Sequence, residues 1–297
     1  MRINKIIELA KSMEVKKTVG VAAAEDEVVL KAVERALKEG ICNVVLYGNE
    51  EKIKEIAKEH DIDISKMEIV HCENNKEAVR KTVEDVASGK TDLPMKGHIT
   101  TGELLSVFLK EEYGLRTKST MNLVSVFDIE GYHKLLIVTD AGMVIAPTLE
   151  QKVDSINNAV KIAKALGIET PKVAIVGALE KVNPKMPATM DAAIITQMNR
   201  RGQIKGCIVD GPFAMDNAIS KEAAEHKGIK SEVAGDADII IMPDIEAGNI
   251  FYKSMVFLSG AGVASTILGG KKPVVLTSRA DSDDAKLLSI ALSVLLA

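Results

Sequence analysis

Residues 18–48 read TVGVAAAEDEVVLKAVERALKEGICNVVLYG, and this stretch decides the fold class. TVGVAAA is a short run of small and β-branched apolar residues, the texture of a strand buried on both faces. EDEVVLKAVERALKEG opens with acids, places apolar residues at helical spacing and stops at Gly40. NVVLYG is a second buried strand. Strand, helix and strand in this order form a βαβ unit, and such units build parallel sheets. The pattern continues outward. NEEKIKEIAKEH predicts a helix, MEIVHC a strand, and NKEAVRKTVEDVASGK a helix ended by Gly89. On the other side, MRINKIIELAKSMEVKK is an amphipathic helix without the continuous apolar core of a signal peptide.

The texture changes after residue 120. NLVSVFDIEGYHKLLIVTD reads as two adjoining strands joined by DIEGYHK, followed by a loop with Pro147 and a long helix ending at Gly167. KVAIVGA, GCIVD and ADIIIM are further strands, separated by helices over MPATMDAAIITQMNRRGQI and SKEAAEHKG. NIFYKSMVFLSGAGVASTILG reads as one glycine-interrupted helix, PVVL as a strand and LLSIALSVLLA as a closing helix. The last strand and helix resemble the opening βα units. This predicts a discontinuous first α/β domain, 1–120 plus 272–297, a second α/β domain, 121–271, mainly parallel sheets, and a ligand-binding cleft between the domains.

Composition narrows the function. The chain has 297 residues, of which 46% are hydrophobic, 3% aromatic and none Trp, so aliphatic side chains and Met must fill a sizeable core. A formal charge of −4 argues against a general nucleic-acid binder. Cys42, Cys72 and Cys207 are scattered, without CxxC pairing, as expected of a reducing, cytoplasmic compartment. No apolar run reaches the roughly 18 residues of a membrane span.

The chemistry-bearing residues cluster where strands end. DGPFAMDNAIS (210–220), PDIEAGNIFYK (243–253) and TSRADSDDAK (277–286) each follow an apolar run. Such loops lie at the carboxyl edge of a parallel sheet, where open α/β folds bind ligands. In the last loop, Arg279 is a candidate fork for phosphate oxygens and Ser278 a donor to an oxyanion or phosphate. Asp281, Asp283 and Asp284 are candidate proton acceptors, or simply the acidic first turn of a helix capped by Ser282 or Asp281. Gly248 and Asn249 are placed at the mouth of a helix, with Lys253 one turn on as a point charge for phosphate; the plain alternative is an Asn cap and a solvated lysine. Asp210 is read as ending its strand, with Gly211–Pro212 turning the chain. The loop MKGHITT offers Lys96, Gly97 and His98, and either Thr100 or Thr101 as helix cap, which is an anion seat or an ordinary N-cap. GxGxxG after the first strand, the Walker A loop, GxSxG and HExxH are all missing.

With MKGHITTGELL, GLRT, VTDAGMVIAPTLEQK, DGPFAMDNAI, PDIEAGNIFYK and SRADS in register, essentially the whole chain resembles the phosphate acyltransferase family, which comprises phosphate acetyltransferase and phosphate butyryltransferase. The KGHITTGELL and SRADS forms look more like the butyryl enzymes. The resemblance implies two α/β domains related to isocitrate and isopropylmalate dehydrogenases. It implies reversible transfer of a short acyl group between CoA and inorganic phosphate in a homo-oligomer. No cofactor or metal belongs to that chemistry; acyl-CoA and phosphate are substrates. Ser278, Arg279, Asp281 and Asp284 are the catalytic candidates, Asp281 ahead of Asp284. The acetyl members carry an aspartate where this chain has Ala285, so the base is open. They also carry an arginine in the helix after the KGHITT loop. GELLSVFLK has none, and Arg116 is the nearest later candidate for an acyl-phosphate contact. Two alternatives are acetyl specificity and a metal- and nicotinamide-dependent dehydrogenase of the same fold, using Asp210, Asp236 and Asp244. A non-catalytic CoA- or phosphate-binding protein is a third.

Overall fold

A computed structural model describes residues 2–277 and 281–297. The chain forms two compact units. A bipartite unit holds Asn4–Lys118 and Ala264–Ala297, and a central unit holds Ser119–Val263 together with residues 2 and 3.

The bipartite unit runs α1 (Lys5–Ser12), β1 (Thr18–Ala22), α2 (Glu27–Lys38), β2 (Asn43–Gly48), α3 (Glu50–Glu59), β3 (Glu68–His71), α4 (Asn75–Ser88), β4 (Leu93–Lys96) and α5 (Thr101–Phe108). Its sheet has the order β3-β2-β1-β4 with every pair parallel. Val19, Val21 and Leu46 are fully buried, which is why these strands read as unbroken apolar runs. Three helix starts are marked by a side chain that accepts from the first turn: Asp26 from Val29 in α2, Asn49 from Lys52 in α3 and Asn74 from Glu77 in α4. Gly89 ends α4 in the left-handed region, φ 83°. The chain steps outward from β1 to β3 and then returns to the far side of β1 as β4. That reversal makes a switch point between β1 and β4, the usual place for a ligand crevice in an open sheet.

The central unit contains β5 (Asn122–Asp128), β6 (Leu136–Thr139), α6 (Leu149–Ala165), β7 (Lys172–Val176), α7 (Pro187–Arg200), β8 (Ile208–Phe213), α8 (Met215–Ile219), α9 (Lys221–His226), β9 (Ile239–Ile241) and α10 (Ile245–Phe257). Its strands lie in the order β5-β6-β9-β7-β8. The β5–β6 pair is the antiparallel hairpin expected from the sequence, and the other pairs are parallel. β10 (Gly262–Leu268) then leads into the bipartite unit, where α11 (Asp283–Leu295) closes the chain.

Four local readings need correction. Residues 249–269 are not one helix. α10 ends at Phe257, Gly260 takes φ 62°, and the β-branched run GVASTIL is the strand β10. PVVL is not a regular strand, because only isolated bridges form, Met95 with Val275 and Ile267 with Val274. β8 does not stop at Asp210; it continues through Gly211 and Pro212 to Phe213, with a register irregularity opposite Ala174 and Val176. The segment after it, read as a loop, holds the short helix α8.

One charge cluster pins the amino edge of the central sheet. Asp236 accepts from Lys172 Nζ at 2.6 Å, pairs with Lys134 at 3.0 Å, and meets His133 Nε2 at 2.8 Å. Burial works against ionisation of Asp236, but the bonds from Lys172, Lys134 and His133 outweigh it and hold the carboxyl below its usual range. A depressed folded pKa gives stability that is present above the unfolded value and lost as pH falls through the folded one. Asp236→Asn should therefore lower stability at pH 7 by about 1 kcal/mol after allowance for solvent screening, and the gap to wild type should narrow below about pH 4. Urea unfolding at pH 7 and pH 3 measures it; a gap that does not change with pH would refute the pinning role.

Candidate active site

In the bipartite unit the MKGHITT loop leaves β4 at the switch point. Gly97 N donates to Ala22 O at 2.9 Å and His98 N to Ala23 O at 2.7 Å, so the loop lies against the end of β1. A Cβ on Gly97 would stand 2.1 Å from Ala23 O, so only glycine allows this approach. His98 is exposed, and its Nδ1 lies 3.2 Å from Asp26 Oδ2, the same carboxylate that caps α2. Lys96 is half-buried and its ammonium donates to Ile99 O at 3.1 Å. The helix cap is Thr100, not Thr101. Glu103 N donates to Thr100 Oγ1 at 3.2 Å, and Thr100 N donates to Glu103 Oε2 at 2.6 Å. This capping box uses two amides that an anion would otherwise take. Thr100→Ala should cost about 1 kcal/mol of stability by thermal unfolding; no loss would mean the box contributes nothing.

The same edge holds two acids that the motif reading passed over, Glu25 and Asp26, placed directly after β1. Glu25 Oε1 accepts from Asn49 N at 2.6 Å, while its buried Oε2 has no hydrogen-bond partner among the described residues. The available signal was the pair of charges immediately behind an apolar strand.

Ser278 and Arg279 lie outside the described residues. On either side of them, Thr277 is buried and Asp281 is half-buried. Lys286, only 4% exposed, reaches back from α11 and donates to the main-chain oxygen of Asp281. Ser282 caps α11 by accepting from Ala285 N at 3.2 Å. Asp284 is exposed and pairs with Arg35 Nη1 at 2.7 Å, which fastens α11 to α2. Arg116 is exposed on the 114–118 segment, next to Leu115, whose carbonyl accepts from Lys271 N at 2.9 Å.

In the central unit, Gly248 and Asn249 do not stand at the helix mouth. Asp244 caps α10 by accepting from Ala247 N at 2.8 Å, which puts Gly248 and Asn249 in the following turn. Both hold the loop after β6. A Cβ on Gly248 would stand 2.0 Å from Asp140 O, and Asn249 Nδ2 donates to Ala141 O at 3.1 Å. Asp140, 6% exposed, accepts main-chain N–H bonds from Gly142 at 2.7 Å, Met143 at 3.0 Å and Val144 at 2.9 Å. Burial raises its pKa, and those amides oppose the rise. The VTDAGM and EAGN segments are thus one interlocked structure, and Asp140 is the organising residue that the strand-end reading did not single out. Lys253 is exposed one turn beyond Asn249, with its ammonium 5.4 Å from the Tyr252 ring centre and 5.5 Å from that of Phe257. Asp210 stays within β8, where its carboxylate accepts from Gly211 N at 2.9 Å and lies 3.8 Å from Arg200.

Asp210, Asp236 and Asp244 are thus each engaged separately. Among the described residues no three His, Cys, Asp or Glu side chains converge as a metal-binding group. Among the same residues, no helix is long and apolar enough to cross a membrane. The three cysteines are free and buried, and burial raises the Cys42 thiol to about 12 and that of Cys207 to about 11. A thiol reagent at pH 8 should therefore react with Cys42 and Cys207 only on unfolding; rapid labelling of the native protein would contradict their burial.

Parallel sheets with these motif-bearing edges match a class of acyl-transferring enzymes. A family model described as phosphate acetyl/butaryl transferase matches residues 1–88 and 75–294. The chain belongs to this family and is a phosphate acyltransferase. It is 56% identical over 297 residues to a phosphate acetyltransferase of Thermotoga maritima, covering 100% of both chains. It is 49% identical over 294 residues to a phosphate butyryltransferase of Clostridium acetobutylicum, covering 99% of this chain and 97% of the relative. The crystal structure of a branched-chain phosphotransacylase from Enterococcus faecalis V583 superposes with TM-score 0.83 at 33% identity, covering 94% of this chain and 98% of the other.

Proposed function

We propose that this enzyme transfers short acyl groups reversibly between CoA and inorganic phosphate, taking acetyl through butyryl with a four-carbon optimum. The observation that carries the reading is positional. The MKGHITT loop, the Asp140 loop and the Asp244 cap all lie at carboxyl ends of parallel strands, of β4, β6 and β9 respectively.

In the proposed mechanism Asp281 takes the CoA thiol proton, because the thiolate is the competent nucleophile. Asp284 ranks behind it, since its carboxylate is exposed and already paired with Arg35. The sulfur attacks the carbonyl carbon of the acyl phosphate, and Ser278 donates to the oxyanion that forms. The carbon–oxygen bond to phosphate then breaks, its electron pair leaves on phosphate, and Arg279 pairs with that anion. In reverse, phosphate attacks the thioester carbonyl and the departing thiolate regains the proton. Lys253, Lys96 and Arg116 supply further positive charge for substrate phosphates, and His98 and Thr101 further donors. The reaction draws on no metal or organic cofactor.

The same reading places the enzyme in the cytoplasm, supported by three free cysteines, and in a homo-oligomer, supported by the exposed Ile250, Phe257 and Leu258 of α10 and its C-cap. The functional test is phosphate-dependent release of CoA thiol from acetyl-, propionyl-, butyryl- and isobutyryl-CoA. Release that requires phosphate and peaks at four carbons supports the proposal. Release that peaks at acetyl overturns the chain-length assignment, and NAD(P) reduction with a divalent metal in place of release would overturn acyl transfer itself.

A further inference from the structure

The loop between β6 and α6, residues 142–147, reads GMVIAP. It is apolar throughout, yet it lies at the surface: Ile145 is 69% exposed, and Met143 and Val144 are half-buried. Exposed apolar loops usually relieve themselves by folding onto the nearest core. This one is prevented from doing so. Its first turn is tied to the buried Asp140 carboxylate through the amides of Gly142, Met143 and Val144. Its middle is tied to α10, since Ile145 O accepts from Ile245 N at 3.0 Å. Its far end becomes the capping box of α6, in which Gln151 N donates to Thr148 Oγ1 at 3.3 Å and Thr148 N donates to Gln151 Oε1 at 2.9 Å. Gly248 and Asn249 clamp its root. The backbone is held and the apolar side chains are left outside.

Its position matters as much as its rigidity. β6 and β9 are parallel neighbours, so this loop emerges at the same carboxyl edge as Pro243 and Asp244. Most of the polar groups discussed for this enzyme suit phosphate, a thiol proton or an oxyanion. An acyl chain of two to four carbons needs the opposite, an apolar wall on a fixed backbone. A wall that moved would discriminate poorly, because one methylene is worth only about 1–3 kcal/mol.

We infer that Met143, Val144 and Ile145 form the surface against which the substrate's acyl chain packs, and that this loop sets the chain length accepted. The inference rests on the phosphate acyltransferase reading above and goes beyond it by assigning the chain-length determinant.

The test measures kcat/KM for acetyl-CoA and butyryl-CoA, with saturating phosphate, in wild type, Val144→Ala, Ile145→Ala and Ile145→Trp. Val15→Ala, which removes a comparably exposed apolar side chain elsewhere, is the control. The two alanine variants are expected to lower the butyryl-to-acetyl ratio about 10-fold, with acetyl turnover within about 3-fold of wild type. Ile145→Trp is expected to reject butyryl more than acetyl, while Val15→Ala leaves the ratio unchanged. An unchanged ratio in all three loop variants, with acetyl activity retained, overturns the inference. So does a change confined to oligomeric state by sedimentation, which would make the loop a contact between copies. Wild type without any phosphate-dependent release would sink the functional reading instead, so the two failures are distinguishable.

Discussion

Arg279→Ala and Ser278→Ala will each lower phosphate-dependent CoA release by about two to three orders of magnitude, with little change in unfolding midpoint. A donor aimed at a developing oxyanion is worth about 10²–10³ in kcat, because it is oriented before charge appears there. In the proposed mechanism the arginine adds a bidentate fork for the phosphate that leaves or attacks, which a lysine cannot reproduce, so Arg279→Lys should recover only part of the loss. The two losses should also differ in kind. Ser278→Ala should lower kcat with KM for phosphate nearly unchanged, whereas Arg279→Ala should raise that KM as well. Steady-state kinetics with varied phosphate decides the matter. Turnover within a few-fold of wild type in both variants would remove residues 278 and 279 from the chemistry and leave Asp281 without its proposed partners.

Gly248→Ala should be strongly damaging. The added Cβ would lie 2.0 Å from Asp140 O and 3.1 Å from Ala141 Cα. Both are main-chain atoms, so no rotamer change relieves the clash and either α10 or the Asp140 loop must shift. Overpacking of this kind costs about 3 kcal/mol. The shift would also disturb the Asn249–Ala141 bond and the three amides on Asp140, so activity should fall about 100-fold as the carboxyl edge of β6 loses its geometry. Gly102→Ala provides the contrast. Gly102 is exposed in α5, where an added Cβ meets only Thr100 Oγ1 at 4.0 Å, so alanine there should stabilise by about 0.5–1 kcal/mol. Thermal unfolding and acyl-transfer assays on both variants test the argument. An unaltered midpoint for Gly248→Ala would mean that α10 and the Asp140 loop are not locked together.

The legible parts of this chain are those governed by local chemistry. Gly40 and Gly89 mark helix ends in the sequence because positive φ acts within a residue or two. The hairpin over β5 and β6 and the alternation from β1 to α4 follow from apolar period and turn residues alone. Local reading failed where two periods collided. Residues 249–269 carry apolar side chains at helical spacing up to Phe257 and β-branched ones after Gly260, and the earlier pattern was extended too far. It failed again at Asp210, where strand pairing with β7 carries Gly211 and Pro212 inside β8 despite their turn chemistry.

The candidate site divides in the same way. The sequence by itself placed the MKGHITT and PDIEAGN segments at strand ends, because glycine, amide and charged residues gather directly behind apolar runs. It also determined the family, through motifs spread over nearly the whole length. What each residue touches was decided only by tertiary structure. Asn249, read as a helix cap, lies beyond the Asp244 cap and holds Ala141; Asp284, on the acidic first turn of α11, pairs with Arg35. These partners lie 108 and 249 residues away in the chain. Periodicity and capping report on a few residues at a time, whereas contacts across such separations exist only once each unit has folded.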